Sequence, residues 1–489
     1  MIRPDHLMLI DGNLVTATTD RVFENINPAN EEVIGHAPDA NAGDIERAIL
    51  AARKAFDTTS WSTDHAFRRE CLIQLQQGLQ KEVESIRPML VAEVGTPVMT
   101  TYGIQLDECI GYISHYVDLL ESYQWDRMVP PPGSEEPQSH RVVCREAVGV
   151  VVAITPWNVP LYLNIAKTAA ALAAGCTVVL KPAPDTAFSA LVLGEIAHKY
   201  TDIPAGVFNV VTTSDNSVAS VLTSHPAVDA ISLTGSTATG RKIMAAAAPT
   251  LKKITLELGG KSPAILLDDA DFEKIAPVLA AGTCFHAGQG CAIYTRALVS
   301  EKRKDELVER IAGIMGMIPW GDPTDPANIM GPVANARQHE SVLRYYEIAN
   351  ETSRVILGGQ RTDRFEKGYW VEPTLITDVD PMSTIPQEEV FGPLLTVLTY
   401  KDEEDAIAIA NNTIFGLAGA VYSDDAEHAL SLARRLRSGS IGINGAAAFH
   451  SSVPFGGYKQ SGLGREWGTE GLEDFLEVKT IAYPTLAKK

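Results

Sequence analysis

A chain of 489 residues exceeds what one hydrophobic core organises, so two or three domains are expected. With 45% apolar residues it has the composition of an ordinary globular protein. A formal charge of −20 argues against nucleic acid as a partner, because phosphate binding needs clustered Lys and Arg.

The first residues, MIRPDHLMLIDGN, lack a basic flank followed by a long apolar core, so no signal peptide is expected. The most apolar region, Val148 to Leu180, is interrupted by Pro156, Asn158, Pro160 and Lys167, which suits a buried α/β core and not a membrane span. Cys71, Cys109, Cys144, Cys176, Cys284 and Cys291 form no close C-x-x-C pair, the pattern of reduced thiols in the cytoplasm. The histidines are equally dispersed, and no metal site is expected.

In chain order, Asp11-Gly12 between apolar runs predicts a hairpin. Asp44 stands as the N-cap of a helix through IERAILAARKAF. Further helices are predicted near Ala66 to Ser85 and Ile104 to Tyr123, making the first quarter a helical layer. VPPPGSEEP, Val129 to Pro137, is either a linker or the turn of a protruding hairpin with RVVCREAVGVVVAIT returning. VGVVVAIT is a run apolar enough for a strand buried on both faces. NIAKTAAALAAG is a helix stopped by Gly175, and strands and helices alternate from there through Ser236. That alternation predicts a doubly wound parallel sheet, which binds ligands beyond the carboxyl ends of its strands. Asn158, Lys181 and Gly235 fall there. SPAILL, TRALV and PLLTVLTY, with helices such as KDELVERIAGIM between, make a second α/β lobe. FLEVKTIAYP closes the chain as a candidate edge strand.

The stretch Leu256 to Cys291 opens LELGGKSPAILL and closes FHAGQGCAIYTR, presenting an acid at Glu257 and a thiol at Cys291 on glycine-flanked turns. Such a pair can act as base and nucleophile, although a surface acid and a buried cysteine fit the two residues taken singly. GSTATG, Gly235 to Gly240, follows a strand and opens a helix, whose free N–H groups suit an anion such as pyrophosphate. It fits neither G-x-G-x-x-G nor the P-loop, and a structural turn accounts for it equally well. Asn158, between the prolines of PWNVP, offers an amide to a developing oxyanion or serves as a turn residue. Lys181 of KPAPDT reaches ribose or phosphate, or is simply solvated. EEVFGP, Glu388 to Pro393, sets acids beside a phenylalanine and a turn, and the glycine-dense loop PFGGYKQSGLGRE either lines a site or an interface or is a flexible surface loop.

In order along essentially the whole chain, PWNVP, KPAPDT, GSTATG, LELGGKSP, GQGC, EEVFGP and PFGGYKQSG resemble the NAD(P)-dependent aldehyde dehydrogenases of the hydrolytic type. The resemblance implies a Rossmann-like cofactor domain over 1–125 and 147–255, a catalytic domain over 256–465, and a small β oligomerisation element over 126–146 and 466–489. It implies that Cys291 is the nucleophile, Glu257 the general base and Asn158 the oxyanion donor. It assigns Lys181 to the adenosine ribose, Gly235 and Ser236 to the pyrophosphate, Glu389 to the nicotinamide ribose, Phe391 to the nicotinamide flank, and Trp157 and Leu258 to its path. Lys167 and Glu477 are implied as a proton relay, and Tyr162, Phe449 and Phe455 as the wall of an apolar substrate pocket. The implied partners are a small aldehyde and further copies of the chain as homodimer or homotetramer, with neither nucleic acid nor membrane. NAD is the implied cofactor, and Pro184 leaves NADP open, because the acid that often grips both ribose hydroxyls and repels a 2′-phosphate is missing there. Thr212 and Thr213 replace frequent glycines, Ala287 a frequent asparagine, and Val159 and Ala166 frequent aromatics. A CoA-acylating semialdehyde dehydrogenase and a catalytically silent relative are the competing readings; Glu257 argues against the first, and Cys291, Glu257 and Asn158 together against the second.

Overall fold

The computed structural model describes residues 3–130 and 139–484. Two sheets, each over its own buried core, carry the chain. The first has eight strands, five of them a parallel centre: Lys253–Glu257, Ala230–Thr234, Val150–Ile154, Thr177–Lys181 and Phe208–Val210, in that spatial order. Chain order runs one way from Val150–Ile154 and then resumes on its other side with Ala230–Thr234. The switch point therefore lies between those two strands, and the crevice at their carboxyl ends is where such sheets hold ligands. Asn158 and Gly235 both follow them.

The outer positions of this sheet are antiparallel. Met8–Ile10 and Asn13–Val15 form the expected hairpin, with Ile10 opposite Asn13 and both turn residues at positive φ, 50° for Asp11 and 72° for Gly12. At the opposite edge Gly462–Leu463 pairs with Leu256 and Glu257. The second sheet has seven strands, parallel except for its edge Arg354–Leu357.

Several expectations are corrected. The helix Ala42–Thr58 is capped by Asn41, not Asp44: the Asn41 side chain accepts from the N–H groups of Gly43 and Asp44, and Asp44 reaches back to the Asn41 N–H. The second helix runs from His65 to Val94, well past Ser85, and ends at Gly95 in the left-handed region. The stretch RVVCREAVGVVVAIT is two strands, Ser139–Ala147 and Val150–Ile154, in different sheets. They part at Gly149, φ 132°, where a Cβ would lie 1.9 Å from the Asp229 carboxylate that accepts from the Val150 N–H. The proline-rich tract expected as linker or turn falls on residues 131–137, outside the described residues; the strands beside it, Asp126–Val129 and Ser139–Ala147, pair antiparallel. Residues just after 466, expected with the oligomerisation element, return to the first core: Trp467, Leu472 and Phe475 are buried in it. The strand Leu476–Pro484 leaves the core after Leu476, pairing along its length with Ser139–Ala147 as the edge of a three-stranded sheet.

Candidate active site

The strand Lys253–Glu257 ends on Glu257, and four residues later Ser262–Leu266 begins the other sheet, so LGGK is the crossing between lobes. Its glycines are required by what stands against them. A Cβ on Gly259 would lie 2.3 Å from a Glu389 carboxylate oxygen, and one on Gly260 would lie 2.2 Å from the Cys291 carbonyl oxygen. The Gly260 N–H donates to Glu389 at 2.8 Å.

The thiol arrives by a second tight passage. After the helix Phe272–Cys284, His286, Ala287 and Gly288 take φ values of 48°, 52° and 74°, reversing the chain. Two consecutive non-glycine residues in that region store strain that the surroundings must hold. Gln289 holds it: buried, it donates to the His286 carbonyl at 3.0 Å and accepts from the Ala334 N–H at 2.8 Å. Its own carbonyl accepts from the Asn158 amide at 2.9 Å. Neither Gln289 nor His286 was singled out from the sequence, where a lone amide or imidazole beside glycines carries no distinguishing signal.

Cys291, Glu257 and Asn158 line one cavity of about 410 Å³, together with Tyr162, Phe449 and Phe455. The three sequence-predicted aromatics form a wall, Tyr162–Phe449 at 5.7 Å and Phe449–Phe455 at 5.4 Å between ring centres. A larger recess of about 530 Å³, between Asn27, Arg87 and Trp370, contains none of these groups.

The electrostatics follow from burial. Glu257 is 3% exposed and neither carboxylate oxygen has a protein partner. Burial pushes its pKa well above the carboxylate range, neighbouring Glu466 adds to this, and Lys167 opposes it. Burial, and then Glu257, raise the Cys291 thiol. Lys167 is fully buried and donates to Ser232 at 3.0 Å and to Glu466. Glu477, expected as the partner of Lys167, lies instead on the exposed edge strand opposite Glu146, turned out by the exit of Leu476–Pro484 from the core. Glu466 takes that place. It sits in the GRE that ends the glycine-dense loop, and that loop was the available signal.

The residues expected around a cofactor occupy the carboxyl edge of the first sheet and the facing lobe. Lys181, 6% exposed, ends Thr177–Lys181, and burial pulls its pKa down to about 8. Ser236 caps the helix Thr237–Ala247 by accepting from the Thr239 N–H at 3.2 Å, and the Gly235 N–H donates to the Glu257 carbonyl at 2.9 Å. Leu258 packs under that helix, where a Cβ on Gly240 would meet it at 2.8 Å. From the other lobe, burial pushes Glu389 up to about 7, and Phe391 stands edge-on to Trp157 at 5.4 Å. A helix N-terminus at the switch point, a buried lysine and a glycine-cradled carboxylate fit a dinucleotide. Among the described residues no cluster of His, Cys, Asp and Glu could hold a metal ion.

A thiol, a carboxylate and an amide around an apolar cavity, beside a nucleotide-binding crevice, define an enzyme that handles a carbonyl carbon through sulfur. The chain belongs to the aldehyde dehydrogenase family, which it matches over residues 14–481. It is similar to a geranial dehydrogenase of Castellaniella defragrans, 38% identical over 479 residues that cover 98% of each chain. Its fold is similar to betaine aldehyde dehydrogenase of Staphylococcus aureus in complex with NAD+, with TM-score 0.95 and 35% identity over 99% of this chain and 96% of that one. It is also similar to aldehyde dehydrogenase C of Pseudomonas syringae in complex with NAD+ and octanal, with TM-score 0.92 and 36% identity over 98% of both chains. The protein is an aldehyde oxidoreductase. Among the described residues no helix is long and apolar enough to cross a membrane.

Proposed function

We propose that this chain oxidises an uncharged aldehyde to its carboxylic acid with Cys291 as nucleophile, Asn158 as oxyanion donor and Glu257 as general base. The observation that carries the reading is the convergence of these three groups on one largely apolar cavity. The Cys291 thiol gives up its proton to water and its sulfur adds to the carbonyl carbon, giving the thiohemiacetal anion. The oxyanion is held by the Cys291 N–H and by the Asn158 amide, which spends one N–H on Gln289 and keeps the other free. The nicotinamide cofactor, when bound, accepts the hydride released on collapse of that centre. Cys291 is left as a thioester. Glu257 takes a proton from water, and the hydroxide formed cleaves the thioester. The buried Lys167–Glu466 pair beside Glu257 offers its proton a route outward.

NAD is the cofactor we assign, supported by the Lys181, Ser236 and Glu389 frame and by the NAD+ complexes of the similar structures. NADP is kept as a second acceptor, since Pro184 stands where an acid often repels a 2′-phosphate, although Asp185 lies close enough to act on Lys181. The free edge of Leu476–Pro484 supports assembly into a dimer or tetramer, and six free thiols suit the cytoplasm. Purified enzyme should form NADH from butanal, and Cys291→Ala should abolish it; NADH at the wild-type rate in that variant refutes the assignment.

A further inference from the structure

The turn that carries Asn158 does not hold itself. It runs PWNVP between the strand Val150–Ile154 and the helix Pro160–Ala174, and its two prolines have no N–H to give. Among the described residues, the main-chain N–H groups of Trp157, Asn158 and Val159 make no hydrogen bond. Two hydrogen bonds reach the turn from distant chain, and both end on Asn158. Its side chain donates to the Gln289 carbonyl at 2.9 Å, on the loop that carries Cys291. Its main-chain carbonyl accepts from the side-chain amide of Gln105 at 3.2 Å. Gln105 lies 53 residues upstream, between the helical turn Val98–Tyr102 and the short helix Asp107–Gly111, and is fully buried.

Packing alone does not explain a glutamine there. Its Oε1 is buried without a hydrogen-bond partner, and an orphaned buried acceptor destabilises the fold. Methionine, of the same length, would fill the space without that penalty. What glutamine adds is the N–H that the Asn158 carbonyl receives. Gln105 is not among the residues lining the Cys291 cavity, so any effect it has on the chemistry passes through Asn158.

We propose that Gln105 is a positioning residue for the oxyanion. It holds the Asn158 main chain from the first core while Gln289 holds the Asn158 side chain from the Cys291 loop. Between them they set the second amide N–H of Asn158 where the carbonyl oxygen becomes charged. The proposal rests on the dehydrogenase reading above and adds a residue to it. An oxyanion donor acts only at hydrogen-bond distance, and a shift of about 1 Å imposed from outside the site can cost roughly 100-fold in rate.

The test is a double-mutant cycle on kcat/KM for butanal with NAD, using Gln105→Met, Asn158→Ala and the pair. Asn158→Ala should lower the value roughly 100- to 1000-fold. Gln105→Met should lower it at least about tenfold, through kcat, with the KM for NAD within about twofold of wild type. In the Asn158→Ala background the same change should cost less than about twofold, because the residue it acts through is gone. Iodoacetamide alkylates Cys291 at a saturated carbon and develops no oxyanion, so Gln105→Met should keep the wild-type alkylation rate, which also reports a folded enzyme. Gln105→Leu repeats the measurement with a second side chain that has no donor. Butanal turnover equal to wild type in Gln105→Met overturns the proposal and leaves the dehydrogenase reading standing. So do equal losses in both backgrounds, alkylation slowed in step with turnover, or failure of both Gln105 variants to fold. Wild-type turnover by Asn158→Ala removes the oxyanion assignment and this proposal with it, and no NADH from the wild-type enzyme removes the dehydrogenase reading itself.

Discussion

Glu257 is a base kept in a place that favours its acid form. Its carboxyl has no hydrogen-bond partner in the protein, and burial and Glu466 both act against ionisation. The folded state therefore binds the proton more tightly than the unfolded chain, whose carboxyl titrates near the ordinary value of 4.5. Above that value the unfolded state releases its proton first, so this residue's contribution to stability falls as pH rises. Glu257→Gln removes the penalty. The variant should melt above wild type at pH 8, with the gap closing toward pH 4.5; equal melting temperatures at both pH values refute the assignment. In rapid mixing the same variant should give one equivalent of NADH and then turn over slowly, because acylation needs only Cys291 and Asn158 while hydrolysis needs the base. An unchanged steady state removes Glu257 from deacylation. The neighbouring glycine is equally specific: Gly259→Ala drives a Cβ into the Glu389 carboxylate, and the KM for NAD should rise at least tenfold with a smaller change in kcat.

At the scale of single elements, Asp44 marks where local signals mislead. It was predicted as an N-cap because an acid precedes an apolar helical pattern, whereas the cap is Asn41 and Asp44 is the residue three positions on. Asp44 is fully buried and accepts from Asn41, Thr18 and Arg47. Asn41→Ala should cost about 1 kcal/mol, as caps usually do, and Asp44→Ala clearly more, measured by chemical denaturation. The reverse order would refute this account of the helix start. Long periodic segments and glycine-bounded motifs were legible because their cause is local: the Asp11-Gly12 turn, the helix KDELVERIAGIM, the loops that carry Glu257 and Cys291. What was not legible depends on distant chain. Gly149 separates two strands because Asp229 stands opposite, and Glu466 rather than Glu477 meets Lys167 because the chain turns back through Trp467 before it leaves the core. Ile104 and Phe285 line the Cys291 cavity together although they are far apart in sequence, each apolar and unremarked alone.

At the scale of the molecule, the base comes from one sheet and the thiol from the lobe built on the other. The crossing LGGK joins them, clamped between Glu389 and the Cys291 carbonyl. The site therefore needs the two lobes held in register. Leu476–Pro484 starts in the first core at the buried Leu476, and beyond it Val478 is 61% and Ile481 44% exposed. One edge pairs with Ser139–Ala147 and the other pairs with nothing among the described strands. A nine-residue strand with a bare edge and exposed β-branched residues is an aggregation hazard unless another subunit covers it. Val478→Asp with Ile481→Asp places one like charge on each face of that strand while leaving both cores untouched. Light scattering should show the assembly fall to monomer, with the main melting transition retained because neither core loses a buried side chain. A mass unchanged from wild type would refute an interface at this strand.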